Sequence, residues 1–320
     1  MKAFTHVNAT TVAEAAAALG PKAAVVAGNT DLLNMCKAMA SPNPPEKLVN
    51  LKSIPGLSYI KEEGGMLKIG ALTTLTEIAD NSIVQTKYTA LAQAARKVGT
   101  PQLRNQGTIA GNICQKCRCW YFRNEHNAFP CLRKATGGLC YALTGDNRYH
   151  SIFGAVGGCV AVCPSDTAPA LMAFNASIVT NKKTWAVKDF FAVTGEKQVA
   201  IADDEIVTEI QLPAPAAGTK SAYQKFALRK SIDFPIVGAA VVIGGGNASI
   251  CLTGVHNLPR RVTAAEDSIK GKPINVANAE AAGAAAATGT TALAATQGPG
   301  NKYMIQITKV TVKRAILACA

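Results

Sequence analysis

Ala23-Ala24-Val25-Val26-Ala27-Gly28-Asn29-Thr30-Asp31-Leu32-Leu33 runs from four apolar residues straight into a polar turn built on one glycine, and out into a new apolar start. The first four read as a short strand; Gly28 lets a ligand approach the backbone, and Asn29 and Thr30 add side-chain donors. Backbone N–H groups gathered in such a turn suit a pyrophosphate. Upstream, Thr11-Val12-Ala13-Glu14 is a capping box that opens an alanine-rich helix ending near Gly20. Downstream, strands are predicted over 47–51, 57–61 and 66–69, and a second capping box joins Thr74 to Glu77. A helix around 89–98 stops at Gly99, as a C-terminal glycine should. Arg104-Asn105-Gln106-Gly107-Thr108-Ile109-Ala110-Gly111-Asn112 then predicts a second set of exposed backbone donors. Strands and helices are mixed along the chain, and neither turn is a G-x-G-x-x-G or Walker loop.

The 320 residues, 48% of them hydrophobic, suffice for a large core divided over two or three subdomains. No apolar segment follows Lys2, and the run over 153–163 is too short to span a bilayer, so neither a Sec-type signal nor a membrane span is expected. A cytoplasmic location follows unless a partner subunit carries the chain out. Lys and Arg outnumber Asp and Glu by 33 to 20, a net charge of +13, yet they are spread along the chain with no basic run interleaved with aromatics. The expected match for that charge is an acidic partner subunit or an anionic cofactor, not nucleic acid.

Seven of the ten cysteines lie between Cys114 and Cys163. Four of them, Cys117-Arg118-Cys119, Cys131 and Cys140, sit on a stretch that reads as loop. Zinc modules usually show two tight ligand pairs, whereas here one Cys-x-Cys is followed by gaps of eleven and eight residues. Four thiolates on a long loop can wrap an iron–sulfur cube. A zinc knot or disulfides are the alternatives, and the missing export signal argues for metal or buried thiols over disulfides.

Four segments, in this order, resemble the FAD-binding subunit of the xanthine dehydrogenase family of molybdenum hydroxylases: Ala27-Gly28-Asn29-Thr30-Asp31, Arg104 to Asn112, Pro164-Ser165-Asp166-Thr167-Ala168, and Arg229-Lys230-Ser231-Ile232-Asp233-Phe234. The resemblance spans nearly the whole chain. It implies an α+β fold, with an FAD-binding PCMH domain of the vanillyl-alcohol-oxidase type over 1–216, made of two subdomains that clasp FAD. A C-terminal antiparallel sheet with helices, of the CO dehydrogenase flavoprotein type, is implied over 217–320. The implied FAD site comprises Val26, Ala27, Gly28, Asn29, Thr30, Asp31, Leu32, Ala71, Thr73, Thr108, Ile109, Ala110, Gly111, Asn112, Ser165, Asp166 and Lys230. Asp166 is expected near the ribose or ribityl chain, and Lys230 near the isoalloxazine.

The cysteine loop, inserted at 114–150, resembles the insertion that carries a [4Fe-4S] cluster in the flavin subunits of 4-hydroxybenzoyl-CoA reductase and certain bacterial aldehyde oxidoreductases. That resemblance implies Cys117, Cys119, Cys131 and Cys140 as ligands, with Cys114 and Cys159 in reserve, and no catalytic acid or base. The chain has neither paired [2Fe-2S] cysteine motifs nor a molybdopterin-binding stretch. The implied partners are therefore a small [2Fe-2S] subunit and a large molybdopterin subunit, with electrons exchanged with an external carrier such as ferredoxin. The rival reading is a stand-alone flavoprotein oxidoreductase with a structural zinc loop; a nucleic-acid or scaffold protein with a cysteine knot rests on charge alone.

Plainer expectations accompany these. Gly244-Gly245-Gly246 is predicted to turn a hairpin between strands over 239–243 and 249–253. Residues 278–296 are expected to form a helix pair. Cys36, Cys251 and Cys319 read as buried apolar thiols, and Cys159 with Cys163 as one face of a core strand. His150 reads as a structural hydrogen-bonding residue, Trp120, Tyr121 and Phe122 as a shield over the cluster, and Asp166 as a helix N-cap.

Overall fold

The computed structural model describes residues 1–320. Strand Ala23–Val26 forms as predicted and lies parallel to Lys47–Asn50, which pairs on its other edge, also parallel, with Thr5–Asn8. Parallel neighbours need crossovers, supplied here by helices Val12–Ala18 and Leu32–Ala38. Thr11 caps the first helix through its hydroxyl, which accepts from the Glu14 amide at 3.1 Å. The Glu14 carboxylate, however, takes the amide and hydroxyl of Thr10 instead of closing the box on Thr11. The box of Thr74 and Glu77 closes in both directions.

A second lobe is built on a five-stranded antiparallel sheet, in the order Ile60–Glu63, Met66–Gly70, Val207–Pro213, Ser177–Thr180, Thr184–Ala186. The strand predicted over 57–61 starts later, at Ile60, because Gly56 turns at φ +78° and the Leu57 carbonyl accepts from the Leu72 amide off the ladder. Helices Thr89–Arg96 and Thr167–Ala173 bury their apolar faces against this sheet, and the core they form also takes in Tyr223, Ala240 and Cys251 from the C-terminal part.

That part is a four-stranded antiparallel sheet, Lys220–Phe226, Val237–Gly244, Asn247–Thr253 and Arg260–Arg261, backed by helices Thr263–Ile269, Val276–Ala285 and Tyr303–Leu317. Val237–Gly244 is covered on both faces: Ala240 meets the central core while Val237, Ala239 and Val241 meet the C-terminal one, so the strand reads as continuous small apolar sequence. The glycine hairpin forms, with Gly245 and Gly246 both at positive φ as a type I′ turn requires. The helix pair expected over 278–296 is corrected. One helix, Val276–Ala285, ends before Gly289 at φ +77°, and the chain beyond it runs irregularly, with the Thr291 amide on the Ile152 carbonyl. Its true partner is Tyr303–Leu317, admitted to close range by Gly283, whose missing side chain leaves room for the Lys309 backbone. No helix is long and apolar enough to cross a membrane.

Candidate functional site

Between the lobes lies a cleft of about 760 Å³, within the range of enclosed cofactor sites. The turn after Ala23–Val26 forms one wall. Gly28 packs so closely on the Gln106 carbonyl that no Cβ fits, and Asn29 sits in the left-handed region at φ 59°. The amides of Gly28, Asn29, Thr30 and Asp31 donate to no group of the chain, and the Asn29 side-chain oxygen is buried without a partner. Four free N–H groups beside a cradle that only glycine permits fit the pyrophosphate of FAD.

The second glycine segment differs from expectation. The amide of Gly107 bonds to the Leu103 carbonyl, those of Ile109 and Ala110 to the carbonyls of Thr73 and Ala71, and those of Gly111 and Asn112 to the side chain and carbonyl of Thr108. The predicted set of exposed donors is thus corrected: Thr108 is the N-cap of helix Ile109–Cys114 and is also bridged to Thr74, and with the turn from Leu103 these contacts take the amides of Gly107 and of Ile109 to Asn112, leaving that of Thr108. What this wall offers the cleft is a smooth surface of Thr108, Ala110, Gly111 and Asn112.

Of the other expected residues, Ala27, Leu32, Ala71 and Asp166 line the cleft as well. Val26, Thr73, Ile109 and Ser165 stand behind it. Ile109 is core, the Thr73 hydroxyl serves Tyr59, and the hydroxyls of Ser165 and Thr167 both donate to the Asn112 side chain at 2.6 Å. Lys230 is exposed on the loop after Phe226, outside the lining. The Asp166 side chain caps nothing. Ser165 caps the helix by accepting from the Ala168 amide, and the Asp166 carboxylate accepts from the Tyr223 hydroxyl at 2.5 Å and from Lys225 Nζ at 2.9 Å. Burial pushes the Asp166 carboxyl up, opposed by Lys225 and Tyr223, and burial and the Asp166 charge push the Tyr223 phenol well up.

The cysteine loop closes the floor of the cleft. Gln115, Lys116 and Arg118 line it, and so does hairpin Phe191–Thr194/Lys197–Val199 through Glu196 and Lys197. Behind that floor, Cys117, Cys119, Cys131, Cys140 and Cys159 surround one apolar cavity of about 20 Å³. No three of these side chains converge tightly enough for a single ion. Cys114 points away and lines the flavin cleft instead, its thiol pushed up to about 12 by burial. The reading of Cys159 and Cys163 as one strand face is corrected. No ladder forms over 159–163, so Cys159 joins the loop cavity while Cys163 enters the central core. Cys36, Cys251 and Cys319 are buried.

Burial pushes the Cys119 thiol well up, Cys131 up and Cys159 to about 11, so these thiols stay neutral at neutral pH until a metal displaces their protons. His150 Nε2 lies 3.3 Å from Cys119 Sγ, so the structural hydrogen bond expected of it is made to one of the cavity's thiols. Phe122 is buried against the thiols, while Tyr121 with Phe129 and Tyr141 forms an aromatic wall and Trp120 stays partly exposed. The donor set is all sulfur in an apolar shell with no carboxylate among its lining, the donor chemistry that iron–sulfur groups use, but the thiols are not gathered round an ion.

Residues the sequence reading passed over hold the loop in place. The Asp31 carboxylate forms ion pairs with Arg118 Nη2 at 2.9 Å and Arg123 Nη2 at 2.7 Å and accepts a hydrogen bond from the Lys116 amide at 3.1 Å, and Arg123 donates to the carbonyls of Cys117 and Lys116. Arg133 is buried, with its fork on Gly195, Lys197 and Gln198 of the hairpin. Phe234 lies over the Arg118 guanidinium, 4.4 Å from ring centre to Cζ.

Residues 2–215 match the family model described as the FAD binding domain in molybdopterin dehydrogenase, and residues 221–319 match the CO dehydrogenase flavoprotein C-terminal domain. The chain belongs to this family of FAD-binding medium subunits of molybdenum hydroxylases, which are oxidoreductase subunits. It is 34% identical over 278 residues to the aldehyde oxidoreductase FAD-binding subunit PaoB of Escherichia coli, covering 83% of this chain and 86% of that one. It is 30% identical to the carbon monoxide dehydrogenase medium chain of Hydrogenophaga pseudoflava, covering 84% and 79%. The fold agrees with a solved carbon monoxide dehydrogenase from the same organism at a TM-score of 0.76 and 28% identity, covering 99% of this chain and 97% of that one.

Proposed function

We propose that this chain is the FAD- and [4Fe-4S]-carrying electron-transfer subunit of a heteromeric molybdenum hydroxylase. It works beside a small [2Fe-2S] subunit and a large molybdopterin subunit and trades electrons with an external carrier such as ferredoxin. The observation that carries this reading is the placement of four thiols of the loop, with Cys159 from beyond it, round one apolar cavity, behind the loop segment that floors the flavin cleft. Bound flavin exchanges electron pairs or single electrons, and a thiolate-held cluster passes single ones.

The chain's own residues provide the setting. Gly28 to Asp31 present free amides, Asp166 with Tyr223 and Lys225 joins the cleft to the C-terminal sheet, and Cys117, Cys119, Cys131 and Cys140 are the proposed ligands, with Cys159 as the alternative fifth thiol. No side chain is needed as a catalytic acid or base. The names of the relatives, FAD-binding subunit and medium chain, support a place in a larger complex.

Iron and acid-labile sulfide analysis of the purified complex, with electron paramagnetic resonance of the reduced protein, tests the cluster. Four iron atoms per chain beyond those of the small [2Fe-2S] subunit are expected, with a cluster signal, separate from the [2Fe-2S] signals, that is lost in Cys131→Ser and Cys140→Ser. Zinc in the wild-type loop, or a full signal in both variants, would overturn it.

A further inference from the structure

We propose that the cysteine loop supplies the cationic half of the dinucleotide site through Arg118, held at the cleft by Asp31, so that loop order and dinucleotide binding support each other. This rests on the reading of the cleft as the FAD site.

Charge in the cleft leads to it. The lining holds six acids, Asp31, Asp166, Glu196, Asp203, Glu205 and Asp233, against three cations, Lys116, Arg118 and Lys197. Five of the six acids are already matched by cations, Asp31 by Arg118 and Arg123, Asp166 by Lys225, Glu196 by Lys116, Asp203 by Lys197 and Asp233 by Arg229. A pyrophosphate therefore brings unmatched negative charge, which the turn at 28–31 answers with amide dipoles only. Lys116 is matched by Glu196 at 2.6 Å and Lys197 by Asp203 at 2.5 Å. Arg118 meets Asp31 and Gln115 through Nη2, at 2.9 Å each, and its Nε is buried without a partner. Of the three cations, only Arg118 keeps a buried donor free, on a planar fork that suits phosphate oxygens.

Asp31 connects the two halves. The turn it belongs to faces the cleft with its amides, while its carboxylate gathers Arg118, Arg123 and the Lys116 amide from the loop. Arg133, in the middle of the loop, ties it to the hairpin that also lines the cleft. A loop clamped to two segments that line a ligand site is coupled to that ligand, and the coupling runs equally in both directions.

The test is titration of FAD into the full-length chain after flavin removal, followed by fluorescence quenching. Arg118→Gln is expected to weaken FAD about tenfold and to flatten the ionic-strength dependence of binding, with Arg118→Lys recovering part of the loss. Asp31→Asn separates charge from placement. Loss of an acid from the cleft would by itself tighten an anion, whereas a positioning role predicts weaker binding. Saturating FAD should also slow tryptic cleavage within 116–134 in the wild type and fail to do so in Arg118→Gln. Wild-type affinity and salt slope in Arg118→Gln, or tighter binding in Asp31→Asn, would overturn the proposal; a wild-type chain that binds no FAD would instead overturn the reading of the cleft.

Discussion

The turn at 28–31 and the loop at 114–150 meet at one carboxylate, yet they are organised by opposite means. The turn is specified by backbone: Gly28 against the Gln106 carbonyl, Asn29 in the left-handed region, four amides left free. The loop has only one short helical turn, Trp120–Arg123, and two 3₁₀ turns, and takes its shape from side chains whose partners are remote. Arg133 reaches Gln198, 65 positions on, and Lys134 reaches the Ala40 carbonyl, 94 positions back. A backbone-specified site is preformed without its ligand. A side-chain-specified loop is only as ordered as its anchors.

Glycine substitutions give the largest effects and sharpen that contrast. In Gly28→Leu the new Cβ meets backbone that cannot yield, so both flavin content and melting temperature should collapse. Gly111 is different: a Cβ there meets only the Thr108 hydroxyl, at 3.0 Å, and the side chain projects toward the cleft. Gly111→Leu should therefore fold with a melting temperature near the wild type and carry no flavin. Normal flavin content in a folded Gly111→Leu would show that the 108–112 wall does not touch the cofactor.

Next in size is Lys225→Met, which leaves Asp166 buried without its cation and should cost about 3–5 kcal/mol. The sign with pH is definite. Without Lys225 the folded-state carboxyl rises further above its unfolded value of about 3.9, so the folded state holds a proton that the unfolded state releases. The variant's stability then falls as pH rises from about 4 to the raised folded value and stays low above it. Thermal melts at acid and neutral pH check this; a variant with the same pH profile as the wild type would place Asp166 in contact with water.

The two regions were unequally legible in the sequence. The glycine turn announced itself because its constraint is local, a glycine and an asparagine where the chain leaves a strand. The thiols announced themselves by crowding. Their anchors did not: Arg118, Arg123 and Arg133 look like ordinary loop arginines until the fold brings Asp31 and the hairpin to them. Tyr223 and Lys225 in Lys220–Phe226 alternate as any half-buried strand does, and their shared face toward Asp166 is decided by tertiary packing. The donors of Ile109 and Ala110 escape the sequence for a related reason, since their partners Thr73 and Ala71 are set by a bridge between distant segments, whereas those of Gly107, Gly111 and Asn112 are taken locally by Leu103 and by Thr108 as a helix cap. In 278–296, small residues favoured helix throughout, but Gly289 and the threonines around it ended it halfway.

The smallest effect should come from Lys230, which makes it the sharpest test of buried against exposed charge. Its family position beside Arg229 suggests an influence on the flavin, but the side chain is exposed and Arg229 is paired with Asp233. A charge in water-like surroundings contributes about 1 kcal/mol even at contact. It is also screened over about 10 Å at 0.1 M salt. Lys230→Ala should thus lower the flavin potential slightly at low salt and not at all at high salt. Lys225, with its side chain 6% exposed and paired to Asp166, is shielded from that screening, so Lys225→Met should shift the potential at both. Redox titration of the two variants at two ionic strengths decides it, and a salt-independent shift from Lys230→Ala would mean that the loop after Phe226 closes over the flavin in the complex.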